Sequence, residues 1–195
     1  VTGVQTCALP ILGTEFANIY SNMGTKITIV EMLSDIIASM DQDIVKCLEE
    51  EFINSGINVY KSTKVERIEK EKYKLKITIS SNEGIKYIIA DKVLLSIGRK
   101  PSIDNIGLEN IGIKTEGGAI LVDRGMKTNM ENIYAIGDCT GGALLAHVAS
   151  AQGVLVAENI MGKFIDMDFR TTPYCIYTKP ELAGVGLTEK EALKQ

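Results

Sequence analysis

The sequence predicts an α/β protein in which a parallel sheet carries an attached antiparallel meander. Over the first 60 residues, helix-like and strand-like segments alternate, which is the order that produces parallel strands. After that, three successive segments alternate apolar and polar residues at every second position, and short polar turns separate them. This second pattern is typical of antiparallel strands joined by tight connections.

The parallel part is predicted from four segments. Residues 13–24 form a helix that ends at a glycine, and residues 26–31 (KITIVE) form a β-branched strand. Residues 41–56 form a second helix with acids at its start and glycine at its end, and residues 57–60 form the next strand. The apolar face of the first helix is predicted to comprise Phe16, Ala17, Ile19, Tyr20 and Met23.

The meander is predicted at residues 63–70, 73–80 and 85–89. Residues 92–97 (KVLLSI) follow as a strand apolar enough to be buried on both faces, as in a parallel sheet. Beyond a loop-rich stretch, the remaining predicted elements are strands at 119–122 and 132–136, a helix at 145–161, a strand-like unit from 173 onward and a helix start at 188–195.

Composition and charge exclude several classes of protein. Apolar residues make up 45% and charged residues 24%, which is typical of globular domains and excludes a disordered chain. The net charge of −4 lacks the basic excess of a nucleic-acid binder, and no apolar run approaches the ~20 residues of a membrane span. With no convincing secretory signal and no Cys-x-x-Cys pair, we expect a cytoplasmic protein without a metal site.

Both ends of the chain are expected to be artificial or incomplete. Residues 1–11 (VTGVQTCALPI) match the translation of a widely used sequencing adapter codon for codon, so Leu12 is predicted to be the first authentic residue. Pro10 is expected in the middle of the turn before the first helix, where it removes a backbone donor. The alternative is a genuine, irregular N-terminus. At the other end, Thr188 and Glu191 have the spacing of a helix start, so we expect truncation there.

A dinucleotide site is indicated by Glu31, which closes the strand at 26–31. In the register of a G-x-G-x-x-G fingerprint the chain has Ala8, Pro10 and Gly13, so only the last glycine remains. A carboxylate at position 31 accepts hydrogen bonds from ribose hydroxyls and repels the 2′-phosphate of NADP. No arginine occurs at residues 32–35, which favours NAD. The alternative is a solvated acid at a strand end.

A second cofactor site is indicated by residues 132–153 (NIYAIGDCTGGALLAHVASAQG). The predicted strand delivers Asp138 to its end, Gly141 and Gly142 allow a close turn, and a helix starts near Leu145. Asp138 could accept hydrogen bonds from ribityl or ribose hydroxyls, and the helix start would stabilise the edge of a reduced flavin. The alternative is a plain strand–turn–helix in which Asp138 caps the helix.

In these segments and their order, the chain resembles the dihydrolipoamide dehydrogenases among the flavin-dependent pyridine nucleotide–disulfide oxidoreductases. The matching stretches are LGTE, KITIVEM, LLSIGRKPS with NIGLENIGI, TNMENIYAIGDCTGGALLAHVASAQG and PYCIYTKPELAGVGLTEKEA. The resemblance implies a Rossmann-like NAD-binding domain at residues 12–101 and a returning segment of an FAD-binding domain at 102–171. Residues 172–195 are then the start of an α+β interface domain.

On the NAD side, the resemblance implies a role for five residues. Gly13 is the last fingerprint glycine, and Glu15 is an acid that pairs with a lysine near the flavin and lines the nicotinamide pocket. Glu31 binds the ribose, Val65 lies on the adenine side, and Gly98 makes a backbone contact on the nicotinamide side.

On the FAD side, the resemblance implies that Asp138 binds the flavin cofactor. Leu145, Ala146 and His147 would make backbone contacts at the isoalloxazine edge, and His147 is not the catalytic base. The redox-active Cys-x-x-x-x-Cys and the catalytic His–Glu pair are expected outside this chain, so no catalytic residue is assigned to it.

The implied activity passes electrons from dihydrolipoamide through a disulfide and FAD to NAD. The implied partners are a lipoyl carrier protein of a 2-oxoacid dehydrogenase or glycine cleavage complex and a second subunit in a homodimer, and the chain alone is expected to be inactive. One alternative is an NADH oxidase or another disulfide reductase of the same family. The other is a stand-alone NAD-binding module.

Overall fold

The computed structural model describes residues 2–7, 10–163, 165–166 and 168–195. The strands are β1 (Thr2–Cys7), β2 (Lys26–Glu31), β3 (Asn58–Tyr60), β4 (Lys64–Glu71), β5 (Lys74–Ser81), β6 (Gly84–Ala90), β7 (Lys92–Ser96), β8 (Thr115–Glu116), β9 (Ala119–Ile120), β10 (Tyr174–Ile176) and β11 (Leu182–Gly184). The α-helices are α1 (Pro10–Asn22), α2 (Gln42–Asn54), α3 (Ala146–Ile160) and α4 (Glu189–Ala192). The described chain divides into two compact units, Val1–Gly98 with Pro173–Gln195 and Arg99–Thr172.

The first unit is built on a four-stranded parallel sheet in the order β3-β2-β1-β7. Its core lies between β2 and the helices, because Ile27 and Ile29 pack on the same side as Ala17 of α1 and Leu48 of α2. All four residues are at most 5% exposed. The predicted parallel sheet is therefore confirmed, and β2 has the predicted bounds.

The apolar face predicted for helix α1 is confirmed only at Ala17, which is buried, because Ile19, Tyr20 and Met23 are exposed. Gly13 and Thr14 are buried beside Ala17. Small residues at these positions allow the helix to lie close to the sheet, and the larger apolar residues face outward. Pro10 is the first residue of the helix, where a missing amide costs little, and not the middle of a turn.

Helix α2 follows the predicted pattern. Asp41 occupies its N-cap position, and Gly56 beyond its end has a φ of +80°, a conformation that glycine adopts readily. Its buried residues, Val45, Leu48 and Phe52, recur at intervals of three and four and face the sheet. The pattern of apolar residues was therefore sufficient to predict this helix.

The meander forms an antiparallel sheet in the predicted order β4-β5-β6. Ile77 and Ile79 of β5 are buried on the side that also contains Val30 of β2, and Val93 of β7 packs against the same cluster. The prediction that β7 is buried on both faces is wrong, because β7 ends the strand order and Leu95 is 58% exposed. The apolar cluster that covers Val93 does not extend to Leu95.

In the second unit, the strand predicted at 132–136 does not form. A strand needs a partner along its length, and in the described part of this unit only the isolated bridge between Lys127 and Tyr134 joins this segment to another. Asn132 has a φ of +62°, so the chain turns where the extended segment was expected to begin. The strand predicted at 119–122 is the short β9, paired with β8, and α3 agrees with the predicted helix.

Residues 173–195 pack with the first unit. β10 and β11 pair antiparallel, and Ile176 and Leu182 belong to the core formed by β2 and α2. Helix α4 begins with the predicted capping box, in which Thr188 and Glu191 exchange hydrogen bonds.

Candidate functional site

Glu31 is a buried acid with an unused acceptor. It is the last residue of β2 and is 1% exposed. Its Oε1 accepts a hydrogen bond from the backbone amide of Leu33 at 2.8 Å, but its buried Oε2 has no partner among the described residues. Leaving a buried carboxylate oxygen unpaired is costly, so this position suits a ligand that donates hydrogen bonds. The solvated strand-end acid considered above does not describe Glu31.

The protonation of Glu31 is set by opposing effects. Burial is the largest and raises the pKa of the carboxyl group above its usual value, because it penalises the charged form. Hydrogen bonds from the backbone amides of Leu33 and Met32 act in the opposite direction and partly offset this rise. Donors from a bound ligand would act in the same direction as these amides.

The segment after β3 lies next to Glu31. The amide of Thr63 donates to the Glu31 carbonyl at 2.9 Å, and the amide of Ser62 donates to the Leu33 carbonyl at 2.8 Å. A cavity of about 360 Å³ lies between this segment and the β5–β6 turn, with Thr63, Ile79 and Lys86 among its lining residues. Val65 is half-buried in β4 and pairs with Ile79.

The carboxyl end of β7 contributes a second unpaired oxygen. Ser96 is the last residue of β7 and is 5% exposed, and its buried Oγ also lacks a partner within the described residues. Gly98 follows with a φ of +120° and is exposed, so its backbone is open to a ligand. Sequence reasoning did not select Ser96, although it is the one polar residue between Val93 and Ile97.

The start of α1 holds the remaining two predicted residues of the first unit. Gly13 is buried in the first turn of the helix. The Oε1 of Glu15 accepts a hydrogen bond from the backbone amide of Tyr177 at 2.9 Å, so this acid is held by the segment after β10. The fingerprint position at Ala8 lies outside the described residues.

In the second unit, Asp138 lies in a 3-10 turn at Gly137–Thr140. Its Oδ2 is 2.7 Å from Nη2 of Arg99, and both side chains are partly exposed. The amide of Gly137 donates to Oε1 of Gln152 at 2.6 Å, which ties the turn to the middle of α3. Sequence reasoning did not select Arg99, even though it lies in the GRKP segment that ends the preceding strand.

The first turn of α3 is open. Leu145 occupies the N-cap position and provides no side-chain hydrogen bond, and Ala146 and His147 are exposed. Asp138 therefore does not cap this helix, in contrast to the plain structural alternative. The positive end of the helix dipole at this N-cap is not offset by a side-chain cap from Leu145 and favours an acceptor. The residues of this unit fit a cofactor that carries hydroxyls and an electron-rich ring edge.

Two negative findings apply to the described part of the chain. No group of three or more His, Cys, Asp or Glu side chains is arranged to hold a metal ion. No helix among these residues is both long and apolar enough to span a bilayer.

Comparison with known proteins shows what the chain is similar to. It is 40% identical over 186 residues to the dihydrolipoyl dehydrogenase of Chlamydia pneumoniae, covering 95% of this chain and 40% of that relative. It is 35% identical over 182 residues to the dihydrolipoyl dehydrogenase of Bacillus subtilis (strain 168), and this match covers 93% of this chain and 39% of that relative.

Two solved structures agree with the fold. The crystal structure of LpdA from Mycobacterium tuberculosis has a TM-score of 0.88 and 29% identity, covering 97% of this chain and 40% of that one. The HOCl-induced flavoprotein disulfide reductase RclA from Escherichia coli has a TM-score of 0.88 and 28% identity, and the match covers 99% of this chain and 44% of that one.

The chain spans about 40% of the length of the curated relatives described above. The family model for pyridine nucleotide-disulphide oxidoreductases matches residues 11–153, which is well over half of the sequence. The chain therefore belongs to the pyridine nucleotide-disulphide oxidoreductase family.

Proposed function

We propose that this chain is the nucleotide-binding part of an FAD- and NAD-dependent dihydrolipoyl dehydrogenase, and that Glu31 binds the adenosine ribose of NAD. The observation that supports this most strongly is the buried, unpaired Oε2 of Glu31 at the carboxyl end of β2. Ligands of open parallel sheets bind at this edge. The 2′- and 3′-hydroxyls of a ribose donate the hydrogen bonds that the carboxylate lacks.

The surroundings of Glu31 favour NAD over NADP. The 2′-phosphate of NADP would bring negative charge against a buried carboxylate, and a basic side chain would be needed to offset it. The residues that follow Glu31 are Met32, Leu33, Ser34 and Asp35, none of which is basic. Of the two carboxylate oxygens of Glu31, Oε2 is the one without a partner among the described residues, and as an acceptor it suits hydrogen-bond donors and not a phosphate.

The second unit is proposed to contribute to an FAD site. The Asp138 carboxylate would accept hydrogen bonds from hydroxyls of the cofactor, and the start of α3, at Leu145, Ala146 and His147, would contribute backbone contacts to the electron-rich edge of the ring. When bound, FAD supplies the two-electron relay between a dithiol and the nicotinamide. Arg99, at 2.7 Å from Asp138, keeps that carboxylate oriented.

The activity of the whole protein follows from its curated relatives and is part of the proposal. We assign it the oxidation of dihydrolipoyl groups on a carrier protein of a 2-oxoacid dehydrogenase or glycine cleavage complex, in a cytoplasmic homodimer. Residues 12–101 would be its NAD-binding domain, 102–171 part of its FAD-binding domain and 172–195 the start of its interface domain.

A second candidate is another flavoprotein disulfide reductase, because the similarity to RclA is as close in fold as the similarity to LpdA. The class of thiol substrate that is oxidised distinguishes a dihydrolipoyl dehydrogenase from another disulfide reductase. The product of the full-length gene, assayed with NAD and either dihydrolipoamide or a small thiol, is expected to reduce NAD only with dihydrolipoamide. Equal or greater rates with a small thiol would favour the second candidate.

The nucleotide proposal is tested by titrating NADH and NADPH into the chain and its Glu31→Gln variant, following NADH fluorescence. We expect the wild-type chain to prefer NADH, and the substitution to weaken NADH binding roughly tenfold or more, because a charge-assisted hydrogen bond is lost. The preference over NADPH should shrink. Glu50→Gln, at an exposed acid on α2, is the matched control. Equal affinity of wild type and Glu31→Gln would contradict the proposal.

The fingerprint positions are tested in the same assay. Ala8 and Pro10 stand where the family pattern has glycines, which let backbone amides approach a pyrophosphate. A chain carrying Ala8→Gly and Pro10→Gly is expected to bind NADH more tightly than the wild type. Equal affinities would show that these two positions do not limit binding.

A further inference from the structure

We infer that Ser96 is a second hydrogen-bonding anchor for the dinucleotide and that its Oγ binds the ribose–phosphate on the nicotinamide side. This inference rests on the proposed function, since it assumes that NAD binds at the carboxyl edge of the sheet. It assigns a binding role to a side chain that sequence reasoning did not select. Three features of the first unit support it.

The first feature is register. Cys7, the last residue of β1, lies opposite Glu31 of β2 on one side and opposite Ser96 of β7 on the other. Glu31 and Ser96 are therefore level with each other across three neighbouring strands. Two inter-strand spacings place their backbones about 10 Å apart. An extended dinucleotide lying along this edge passes both.

The second feature is that the two side chains leave the sheet on the same face. Successive residues of a strand point to opposite faces. Val30 packs on the meander side, so Glu31 points to the helix side. Val93 packs on the meander side as well, so Ser96, three positions further, points to the helix side. Both oxygens thus lie on the face covered by α1.

The third feature is that both oxygens are buried and unpaired. Among the described side chains of the molecule, Glu31 Oε2 and Ser96 Oγ are the two buried polar atoms without a hydrogen-bond partner. Buried hydroxyls are almost always paired, because leaving one unpaired sacrifices its hydrogen bonds with water. Two such atoms, level with each other on one face of one sheet edge, indicate one ligand that satisfies both.

The strand order assigns each oxygen to a part of that ligand. The pyrophosphate of a dinucleotide lies at the start of the helix that follows the first strand, and here that strand, β1, is between β2 and β7. If Glu31 holds the adenosine ribose beyond β2, the other half of the molecule extends over β7. Ser96 is then opposite the second ribose and its phosphate, and its hydroxyl can donate to either.

The test compares three ligands that contain increasing parts of the dinucleotide. AMP has only the half assigned to Glu31, ADP-ribose adds the pyrophosphate and second ribose, and NADH is complete. Affinities are measured by calorimetry for the wild type, Ser96→Ala and Glu31→Gln, in the native chain and in the chain carrying Ala8→Gly and Pro10→Gly. We expect Ser96→Ala to lower the affinity for ADP-ribose and NADH roughly three- to tenfold, as for the loss of one hydrogen bond. The affinity for AMP should not change.

Controls separate this role from a structural one. Glu31→Gln should lower the affinity for all three ligands. Ser55→Ala should lower the affinity for none of them, because Ser55 lies at the C-cap of α2, away from the carboxyl ends of the strands. If Ser96→Ala leaves ADP-ribose and NADH unchanged while Glu31→Gln weakens them, the inference is wrong and the proposed function holds. If Ser96→Ala weakens AMP equally, Ser96 is structural and the inference is also wrong. If neither chain binds NADH, the proposed function fails and the inference fails with it.

Discussion

Burial of the Glu31 carboxyl group opposes its ionisation, while its position at the carboxyl end of β2 is suited to ligand binding. The raised pKa of Glu31 results mainly from burial, and only the amides of Leu33 and Met32 counteract it. A ligand with two hydroxyl donors would stabilise the charged form. The residue therefore lowers the stability of the ligand-free fold near neutral pH in return for affinity.

The pH dependence of stability tests this statement. Because the folded-state pKa of Glu31 is raised, its stabilising contribution is complete below about pH 4.5 and is lost as the pH rises through the raised value. Glu31→Gln removes this dependence and keeps an acceptor for the Leu33 amide. Without nucleotide, the unfolding free energy of the variant relative to wild type should be higher at pH 7 than at pH 4.

Denaturant unfolding at several pH values measures this difference, with Glu50→Gln on the exposed side of α2 as the control for removing a surface charge. A relative stability of Glu31→Gln that falls between pH 4 and pH 7 would show that the carboxylate is stabilised by groups of the protein itself.

Gly137 begins the 3-10 turn at Gly137–Thr140 and has a backbone conformation that glycine adopts more readily than other residues. It has a φ of +73°, and a Cβ at this position would lie 3.2 Å from the Cβ of Ala149. Gly137→Ala is therefore expected to lower the unfolding free energy by about 1–3 kcal/mol. Gly153, which lies inside α3, is the matched control. A Cβ at this position would make an ordinary contact of 3.5 Å with Cδ1 of Ile136.

Gly153→Ala should raise stability by about 0.5–1 kcal/mol, as alanine favours a helix interior over glycine. Thermal unfolding followed by circular dichroism measures both variants. Equal effects of the two substitutions would show that the backbone conformation at Gly137 is not a constraint.

At the scale of elements, the sequence predicted well those helices and strands in which the apolar residues recur regularly along the segment itself. β2, α2 and α3 have strong local patterns and end close to the predicted residues. The segment 132–136 has a similarly apolar pattern, but among the described residues it is paired through the single bridge at Tyr134, because strand pairing depends on neighbours that a local pattern does not contain. For the same reason the unpaired oxygen of Ser96 was not predictable, since it depends on what surrounds it.

Helix α2 shows how much of the fold depends on one buried face. Leu48 is fully buried in the core with Ile29, while its neighbour Cys47 is exposed on the same helix. Leu48→Ala should lower the unfolding free energy by about 2–5 kcal/mol, because it removes apolar contacts and leaves a cavity. Cys47→Ala should change it by less than about 0.5 kcal/mol.

Denaturant unfolding of the two variants provides the measurement. A large destabilisation by Cys47→Ala would show that this exposed side chain contributes to packing. A small effect of Leu48→Ala would mean that α2 contributes little to the core of the first unit.

At the scale of the whole molecule, nucleotide binding and turnover are separable. Oxidation of a dithiol by this family passes through a pair of cysteines close enough to form a disulfide. In this sequence the four cysteines are at positions 7, 47, 139 and 175, and none has another at the Cys-x-x-x-x-Cys spacing. Cys47, Cys139 and Cys175 are free in the described structure. Under the proposed function, the residues described here would serve the acceptor side of the reaction and not the dithiol side.

We therefore expect the chain of 195 residues to bind NADH without forming it from dihydrolipoamide and NAD, even when FAD is added. The absorbance of NADH measures the reaction, and the dihydrolipoyl dehydrogenase of Bacillus subtilis assayed alongside shows that the substrates are competent. Binding of NADH by the same preparation shows that a lack of turnover is not a lack of folding. NADH formation above the rate without protein would contradict this expectation, because electrons would then reach NAD from the dithiol without a Cys-x-x-x-x-Cys pair in the sequence.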